Sequence, residues 1–330
     1  MTSTVSVALC THNGARYLEN QLRSILGQSV PADEIVLSDD GSTDDTVFIA
    51  RRAIAEFSSS NQGPAIRLRV IENETALGVA RNFEQALLAC TGDLIALCDQ
   101  DDIWHPTRLE QLVAAFADRS ELLLVHSDAT LVAEDGSPLG LSLFEALEVT
   151  ADERQEIHAG LGFDTLLRRN LVTGATTMVR GELVRRATPF PESWIHDEWM
   201  AVIAGATARF DLVDRELTDY RQHGGNQIGA RKLGLRDKIR KLREPRLERN
   251  THLVARAIAL VGKLEELGTA VRPEALEKAR LKLAHEQLRF ALPVHRVKRI
   301  APILREGARG HYARFSRGRA DMLRDLLQPT

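Results

Sequence analysis

The stretch Leu94 to Trp104 reads LIALCDQDDIW, an apolar run of strand length that empties directly into Asp99, Asp101 and Asp102. Residues two apart on an extended chain point the same way, so Asp99 and Asp101 share a face and offer hard oxygen ligands suited to Mg²⁺ or Mn²⁺. An acidic turn capping the helix that begins near Pro106 would account for the same residues. A second acidic string weighs against so local a reading. Glu34 to Ser38 is another buried-strand pattern, and it runs into Asp39, Asp40, Gly41, Ser42, Thr43 and Asp44. In open α/β sheets the ligand crevice lies beyond the carboxyl ends of the strands, where both strings would sit.

Working outward, strand patterns at Val5–Leu9, Ile35–Ser38, Leu68–Ile71, Leu94–Leu97 and Leu122–His126 alternate with helical patterns at Tyr17–Leu26, Asp44–Phe57, Val79–Ala89 and from Pro106 onward. Such alternation predicts an α/β fold, a mostly parallel, Rossmann-like sheet flanked by helices. From Asp152 to Gln222 the rhythm is less regular. A strand at Thr176–Val179, a short helix after Gly181, a helix near His196, and strands at Phe210–Val213 and Leu217–Tyr220 are expected there. Beyond Arg231 the pattern is helical almost throughout, broken at Pro245, Gly268 and Pro273. Leu253 to Leu267 predicts either a helical hairpin with the segment after Pro273 or a homodimer contact.

A net charge of −3 conceals two unlike halves. Residues 1–230 carry 18 basic and 35 acidic side chains, residues 231–330 carry 25 and 11, and every lysine lies in the second part. The break predicts a catalytic domain over 1–230 and a basic helical C-terminal region over 231–330. The acidic first part argues against a nucleic-acid partner. Cys10, Cys90 and Cys98 lie in or beside apolar segments with no pairing or metal-ligand spacing, which suits a reducing compartment and inert thiols. Met1 to Ser6 has no basic start, and no run approaches the roughly 20 apolar residues of a membrane span, so a cytoplasmic location is expected. There is no G-x-S-x-G elbow, P-loop or H-E-x-x-H, and Gly160, Leu161, Gly162 lacks the third glycine of a dinucleotide fingerprint.

Thr11, His12, Asn13 and Gly14 follow the first strand, where a nucleotide would lie; an Asn-Gly turn is the plainer account. Asp40 could accept a hydrogen bond from a base N–H or cap the next helix. Arg81 and Asn82 follow Gly78 at a helix start, where phosphate or base could be met, although a surface ion pair would also place an arginine there. Asp197 and Glu198 open a helix between Trp194 and Trp199, a position the helix dipole favours for acids and one that also suits a general base. His223, on a loop of Tyr220 to Asn226, could reach metal or phosphate, or serve as an ordinary hydrogen-bonding residue.

In order and spacing, Val5–Gly14, Asp39–Asp44, Gly78–Asn82 and Cys98–Trp104 resemble an inverting nucleotide-sugar glycosyltransferase of the large family 2 type, over roughly residues 5–230. The resemblance implies a GT-A fold with Asp40 and Arg81 near the nucleotide base, Asp99 near the ribose, Asp101 on Mg²⁺ or Mn²⁺, and Asp197 as catalytic base. His196-Asp197 stands where many members have Glu-Asp, so Glu198 shares the candidacy. The wording of 99–104, 196–199 and 220–223 is similar to bacterial rhamnosyltransferases of surface polysaccharide synthesis, implying transfer from dTDP-rhamnose or another nucleotide-sugar donor to a saccharide or lipid-linked saccharide acceptor. A UDP-sugar-dependent enzyme, an inactive nucleotide- or carbohydrate-binding relative, and a nucleotidyltransferase are the alternatives.

Lys232, Arg236, Lys238, Arg240, Lys241 and Arg243 surround Leu235, Ile239 and Leu242. This predicts an amphipathic helix over 231–250 that lies on an anionic membrane surface or packs on the catalytic domain, making the protein peripheral on the cytoplasmic face in the first case.

Overall fold

The computed structural model describes residues 3–60, 66–224 and 245–329. Strands β1 (Val5–Thr11), β2 (Glu34–Asp39), β3 (Arg67–Glu72), β4 (Leu94–Asp99), β5 (Ile103–Trp104), β6 (Leu122–Val132), β7 (Pro138–Ser142), β8 (Thr177–Arg180) and β9 (Arg209–Arg221) form a single sheet. Its order is β3-β2-β1-β4-β8-β6-β9-β5, with β7 added to β6. The helices are α1 (Leu18–Leu26), α2 (Thr46–Ser59), α3 (Val79–Ala89), α4 (Arg108–Ala115), α5 (Leu143–Ala146), α6 (Ala151–His158), α7 (Gly162–Arg168), α8 (Gly181–Ala187) and α9 (His196–Thr207). A C-terminal set follows: α10 (Arg246–Leu267), α11 (Pro273–Phe290), α12 (Arg296–Ala308), α13 (His311–Phe315) and α14 (Arg319–Leu327).

The fold is the expected α/β sheet flanked by helices, extended by C-terminal helices. Strands β1 to β4 are mutually parallel, each joined to the next through a helix. The centre is mixed, because β8 runs antiparallel to both β4 and β6. β1 and β2 are buried at every position, which is why both are mainly apolar rather than alternating. Two apolar cores sandwich the sheet. One packs α1, α2 and α4 against one face, with Leu9, Leu22, Leu37 and Leu109 at its centre. The other joins α3, α8 and α9 to α10 and α11, so that Trp199, Ile203, Leu264 and Ala275 share one cluster.

One expectation needs correction. Phe210–Val213 and Leu217–Tyr220 are not separate strands but one, β9, whose pairing with β6 slips in register around Ser127 to Thr130. Leu253 to Leu267 belongs to α10, whose buried residues Leu260 and Leu264 pack within the chain beside α11; of the two readings, the hairpin is the one the structure displays. The charge boundary after Ala230 and most of the basic 231–250 segment lie outside the described residues.

One buried acid ties the first parallel strands together. Glu34 accepts from Ser6 Oγ (2.5 Å), Thr91 N (2.5 Å) and Arg67 Nη2 (2.5 Å). Burial pushes its pKa up, but these hydrogen bonds prevail and hold it at about 2. A carboxylate depressed on folding contributes stability that is complete above its unfolded pKa and is lost as pH falls toward the folded one. Stability is therefore expected to drop by about 3 kcal/mol between about pH 4.5 and pH 2 from this group. Urea titrations across that window should show the drop in the native protein and a flatter profile in Glu34→Gln.

Candidate active site

The parallel register sets the site. Thr11 stands opposite Asp39 across the β1–β2 ladder, and Cys10 opposite Asp99 across β1–β4. All three strands therefore end at one level. There a cavity of about 430 Å³ opens, lined by Thr11, Asp40, Asp99 and Asp101 from the strand ends, Asn82 and Phe83 from α3, Gly174, His196 and Asp197 near the start of α9, and Tyr220 from β9.

Much of the acidic string after β2 is spent on local architecture. Asp39 accepts from Thr11 Oγ1 (2.7 Å), Ser42 Oγ (2.6 Å) and Ser42 N (2.8 Å), and the chain turns through Gly41 at φ +71°. Asp44 accepts from Ala15 N at 3.1 Å. Asn13, with φ +48°, accepts from Thr43 N at 2.9 Å and is absent from the cavity lining. Asp40 does line it, but its two oxygens accept from the Leu77 (2.6 Å) and Gly78 (2.9 Å) amides, fixing the entry to α3. Asn82 locks α3 to β2, receiving Ser38 Oγ at 2.6 Å and donating to Ser38 O at 2.9 Å.

Gln100, between the acids of the second string, pairs with the backbone of His12 as a strand would. Its Oε1 accepts from His12 N at 2.8 Å and its Nε2 donates to His12 O at 3.1 Å. A Cβ on residue 14 would fall 2.1 Å from that Oε1, so a side chain there would push Gln100 off the His12 backbone. Asp101 Oδ2 lies 2.7 Å from His223 Nε2, and the His223 ring stacks on Tyr17 with centroids 5.2 Å apart. Asp102 turns the other way and accepts from Arg221 N at 3.0 Å.

Two of these strand-end carboxylates, Asp99 and Asp102, have raised pKa values. Burial, then the charges of Asp101 and Asp197, pushes Asp99 up to about 7. Burial, then the charges of Asp101 and Asp99, pushes Asp102 well up. Behind them sits Arg108, fully buried with its guanidinium 3.8 Å from the centre of the Trp104 ring, its own pKa lowered to about 10 by burial. Among the described residues no group of three or more His, Cys, Asp or Glu side chains is gathered as a metal cage. A carboxylate and an imidazole in contact, as at Asp101 and His223, do match the short protein ligand set of a Mg²⁺ or Mn²⁺ ion that takes its other oxygens from phosphate and water. The residues fit such an ion.

Across the cavity, Asp197 accepts from Gly174 N at 2.7 Å and Glu198 N at 2.6 Å. Burial outweighs these bonds and brings its pKa to about 6. His196 stacks on Phe83 at 4.0 Å, with burial lowering its pKa to about 3. The two acids of α9 thus part company. Glu198 is turned away and ion-paired to Arg256 of α10, whose guanidinium lies 3.8 Å from the centre of the Trp194 ring. Arg81 is likewise outside the cavity lining; it is exposed and paired with Glu192 at 3.0 Å. Arg108, Gln100 and Arg256 escaped the sequence reading. For Gln100 the signal was present, since it sits inside the acidic string; nothing local marks Arg108 or Arg256.

The family model for glycosyl transferase family 2 matches residues 6–172, and the chain belongs to that family. EpsE of Bacillus subtilis, whose name assigns it provisionally to the glycosyltransferases, is 39% identical over 110 residues, 33% of this chain and 37% of EpsE. Escherichia coli WfgD, named as a UDP-Glc:alpha-D-GlcNAc-diphosphoundecaprenol beta-1,3-glucosyltransferase, is 32% identical over 110 residues, 33% of this chain and 40% of WfgD. The match thus spans well under half the length of either relative. The crystal structure of Staphylococcus aureus TarS 1–349 with UDP-GlcNAc superposes with a TM-score of 0.56 at 17% identity, covering 98% of this chain and 90% of that one. That likeness makes the fold GT-A-like, helical extension included.

Removing the Arg256 guanidinium strands Glu198 in a nearly buried position. Breaking such a pair is strongly destabilising because the remaining charge is uncompensated. Arg256→Ala is expected to lower stability by about 3 kcal/mol in chemical denaturation, and the double variant Arg256→Ala/Glu198→Ala should recover part of the loss.

Proposed function

We propose that this chain is a metal-dependent inverting glycosyltransferase that moves a sugar from a nucleoside-diphosphate donor to a hydroxyl of a saccharide or lipid-linked saccharide in surface polysaccharide synthesis. The observation that carries the reading is the pairing, in one cavity, of a strand-end acid cluster with a separate buried aspartate tuned near neutrality.

Thr11 and Asp40 face the nucleotide end of the cavity, Asp99 the ribose, and Asn13 and Arg81 the rim; Arg81 engages a base by leaving Glu192. Asp101 and His223 would hold Mg²⁺ or Mn²⁺, which when bound supplies positive charge to the diphosphate. Asp197 accepts the proton of the acceptor hydroxyl. The oxygen so freed attacks the anomeric carbon on the face opposite the diphosphate, a new C–O bond forms, and the electron pair of the breaking bond leaves with the β-phosphate oxygen, inverting the centre. A base with a pKa of about 6 is deprotonated at pH 7 yet basic enough to share the proton in the transition state. Glu198, bound to Arg256, is a positioning residue rather than the base.

WfgD, which its name describes as using UDP-Glc, favours a UDP-sugar donor. A dTDP-rhamnose donor is the second reading. In its favour, residues from all three rhamnosyltransferase-like stretches, among them Asp99, His196 and Tyr220, line the cavity.

Asp197→Asn should reduce transfer by about a thousandfold or more while leaving donor affinity within about twofold, whereas Glu198→Gln should retain most activity. In the native enzyme, turnover should fall about tenfold per pH unit below about pH 6, as Asp197 takes up its proton. Near-normal turnover of Asp197→Asn would exclude the assignment. Calorimetry of UDP binding should show a strong dependence on Mn²⁺ that Asp101→Asn removes; an unchanged affinity in that variant would exclude a metal role for Asp101.

A further inference from the structure

Helix α12 is amphipathic in the wrong sense for a helix that only packs on its own protein. The side it buries carries Arg299, Ile303 and Glu306. Arg299 donates to the carbonyls of Pro293 (2.6 Å), Val294 (2.8 Å) and Gln328 (2.7 Å), and Glu306 receives His285 Nδ1 (2.9 Å) and His311 Nδ1 (2.8 Å). The side it turns outward is apolar: Val297 is 80% exposed, Ile300 43% and Leu304 59%. At 100° per residue these three fall within about 60° of one another on the helix wheel.

Further exposed apolar side chains stand near the start of α12. Val294, just before α12, is 66% exposed. Arg246 donates to the carbonyls of Arg289 (3.0 Å) and Phe290 (3.3 Å), drawing the exposed side chains of Leu247 and Phe290 to the loop that leads into α12. Cations flank the stripe, with exposed Lys298 and Arg305 on one side of the wheel and exposed Arg296 on the other. Residues 291–320 hold eight lysines and arginines against a single acid, Glu306, which is buried.

We propose that α12 lies flat on an anionic lipid surface, with Val297, Ile300 and Leu304 entering the headgroup and acyl boundary and Arg296, Lys298 and Arg305 meeting lipid phosphates. An apolar stripe between two basic rows is the pattern that binds such an interface, through buried apolar area and attraction to anionic headgroups together. A second copy of the chain fits less well. Two-fold packing of α12 on itself would bring like-charged rows together, with no exposed acid on the helix to pair them. This surface, centred on α12, gives an enzyme with a membrane-borne acceptor a way to reach it.

The test is co-sedimentation of the full chain with phosphatidylcholine vesicles, with and without phosphatidylglycerol. The native protein should bind the phosphatidylglycerol vesicles at low salt, release at high salt, and ignore pure phosphatidylcholine. Val297→Asp/Leu304→Asp and Lys298→Glu/Arg305→Glu should each cut binding at least about tenfold. All four side chains are exposed, so the melting temperature of each variant should match the native one. Binding unchanged in the apolar variant, or no binding by the native protein, would overturn the proposal. So would native self-association in sedimentation velocity that Val297→Asp/Leu304→Asp abolishes, with vesicle binding unaffected. The readout is independent of transfer, so its outcome is separable from that of the proposed activity.

Discussion

The position of β1 between β2 and β4 is the constraint on which the rest of the structure depends. Three parallel strands in fixed register, all buried, must end together, and the residues just beyond them therefore share one small volume. A slip of one residue would turn every side chain of β1 to the opposite face and separate Thr11 from Asp39. The hydrogen bonds that follow the strands confirm how tightly the level is set: Thr11 holds Asp39, Asp40 holds the amides before α3, and Gln100 clasps the backbone of His12. Rigid strand ends and pinned loops give a site whose geometry exists before any ligand arrives.

That rigidity concentrates negative charge. Asp99, Asp101 and Asp102 follow one strand, and Asp197 faces them closely enough to raise Asp99 further. Among the described residues the internal answer is partial. Arg108 sits behind the cluster, but burial weakens its own charged state, and Arg221 contributes a backbone amide to Asp102 together with a guanidinium bond to the carbonyl of Asp101 (2.8 Å). His223 stands against Asp101 where an imidazole can serve either as hydrogen-bond partner or as ligand. An acid cluster offset only in part by the described residues is what the proposed cation and diphosphate call for.

The strand-end clusters were legible because their signal is local: an apolar run followed at once by acids marks both a buried strand and what lies beyond it. The residues alone offered Asp197 and Glu198 together as a general base for the site, and the resemblance pointed to Asp197. What the sequence concealed depends on contacts across long separations. Adjacent acids at 197 and 198 look equivalent, and only Arg256, far along the chain, draws Glu198 aside. Arg81 is likewise held by Glu192. Two short helices could have been found, since Ser142 with Glu145 and Thr150 with Glu153 both complete capping boxes. The apolar stripe of α12 is visible as a period in the sequence, but which side faces inward is decided by the carbonyls that surround Arg299.

The divergence of Asp197 and Glu198 has a structural consequence. Neighbours on a helix point about 100° apart, so one turn of α9 presents an acid to the cavity and another to the C-terminal layer. Trp194 reinforces the second contact, donating from Nε1 to the Arg256 carbonyl at 3.0 Å while its ring carries the guanidinium. The family match ends at residue 172, before α9 begins. The strand-end acids thus belong to the shared portion of the family, whereas the proposed base stands on a helix oriented by the helical layer that follows. The proposed donor site and the proposed base accordingly come from different parts of the chain, and the ion pair between Glu198 and Arg256 is one of the contacts that fasten the second part to the first, beside Lys263 on the Thr188 carbonyl (2.7 Å) and Lys278 on Asp164 (2.6 Å).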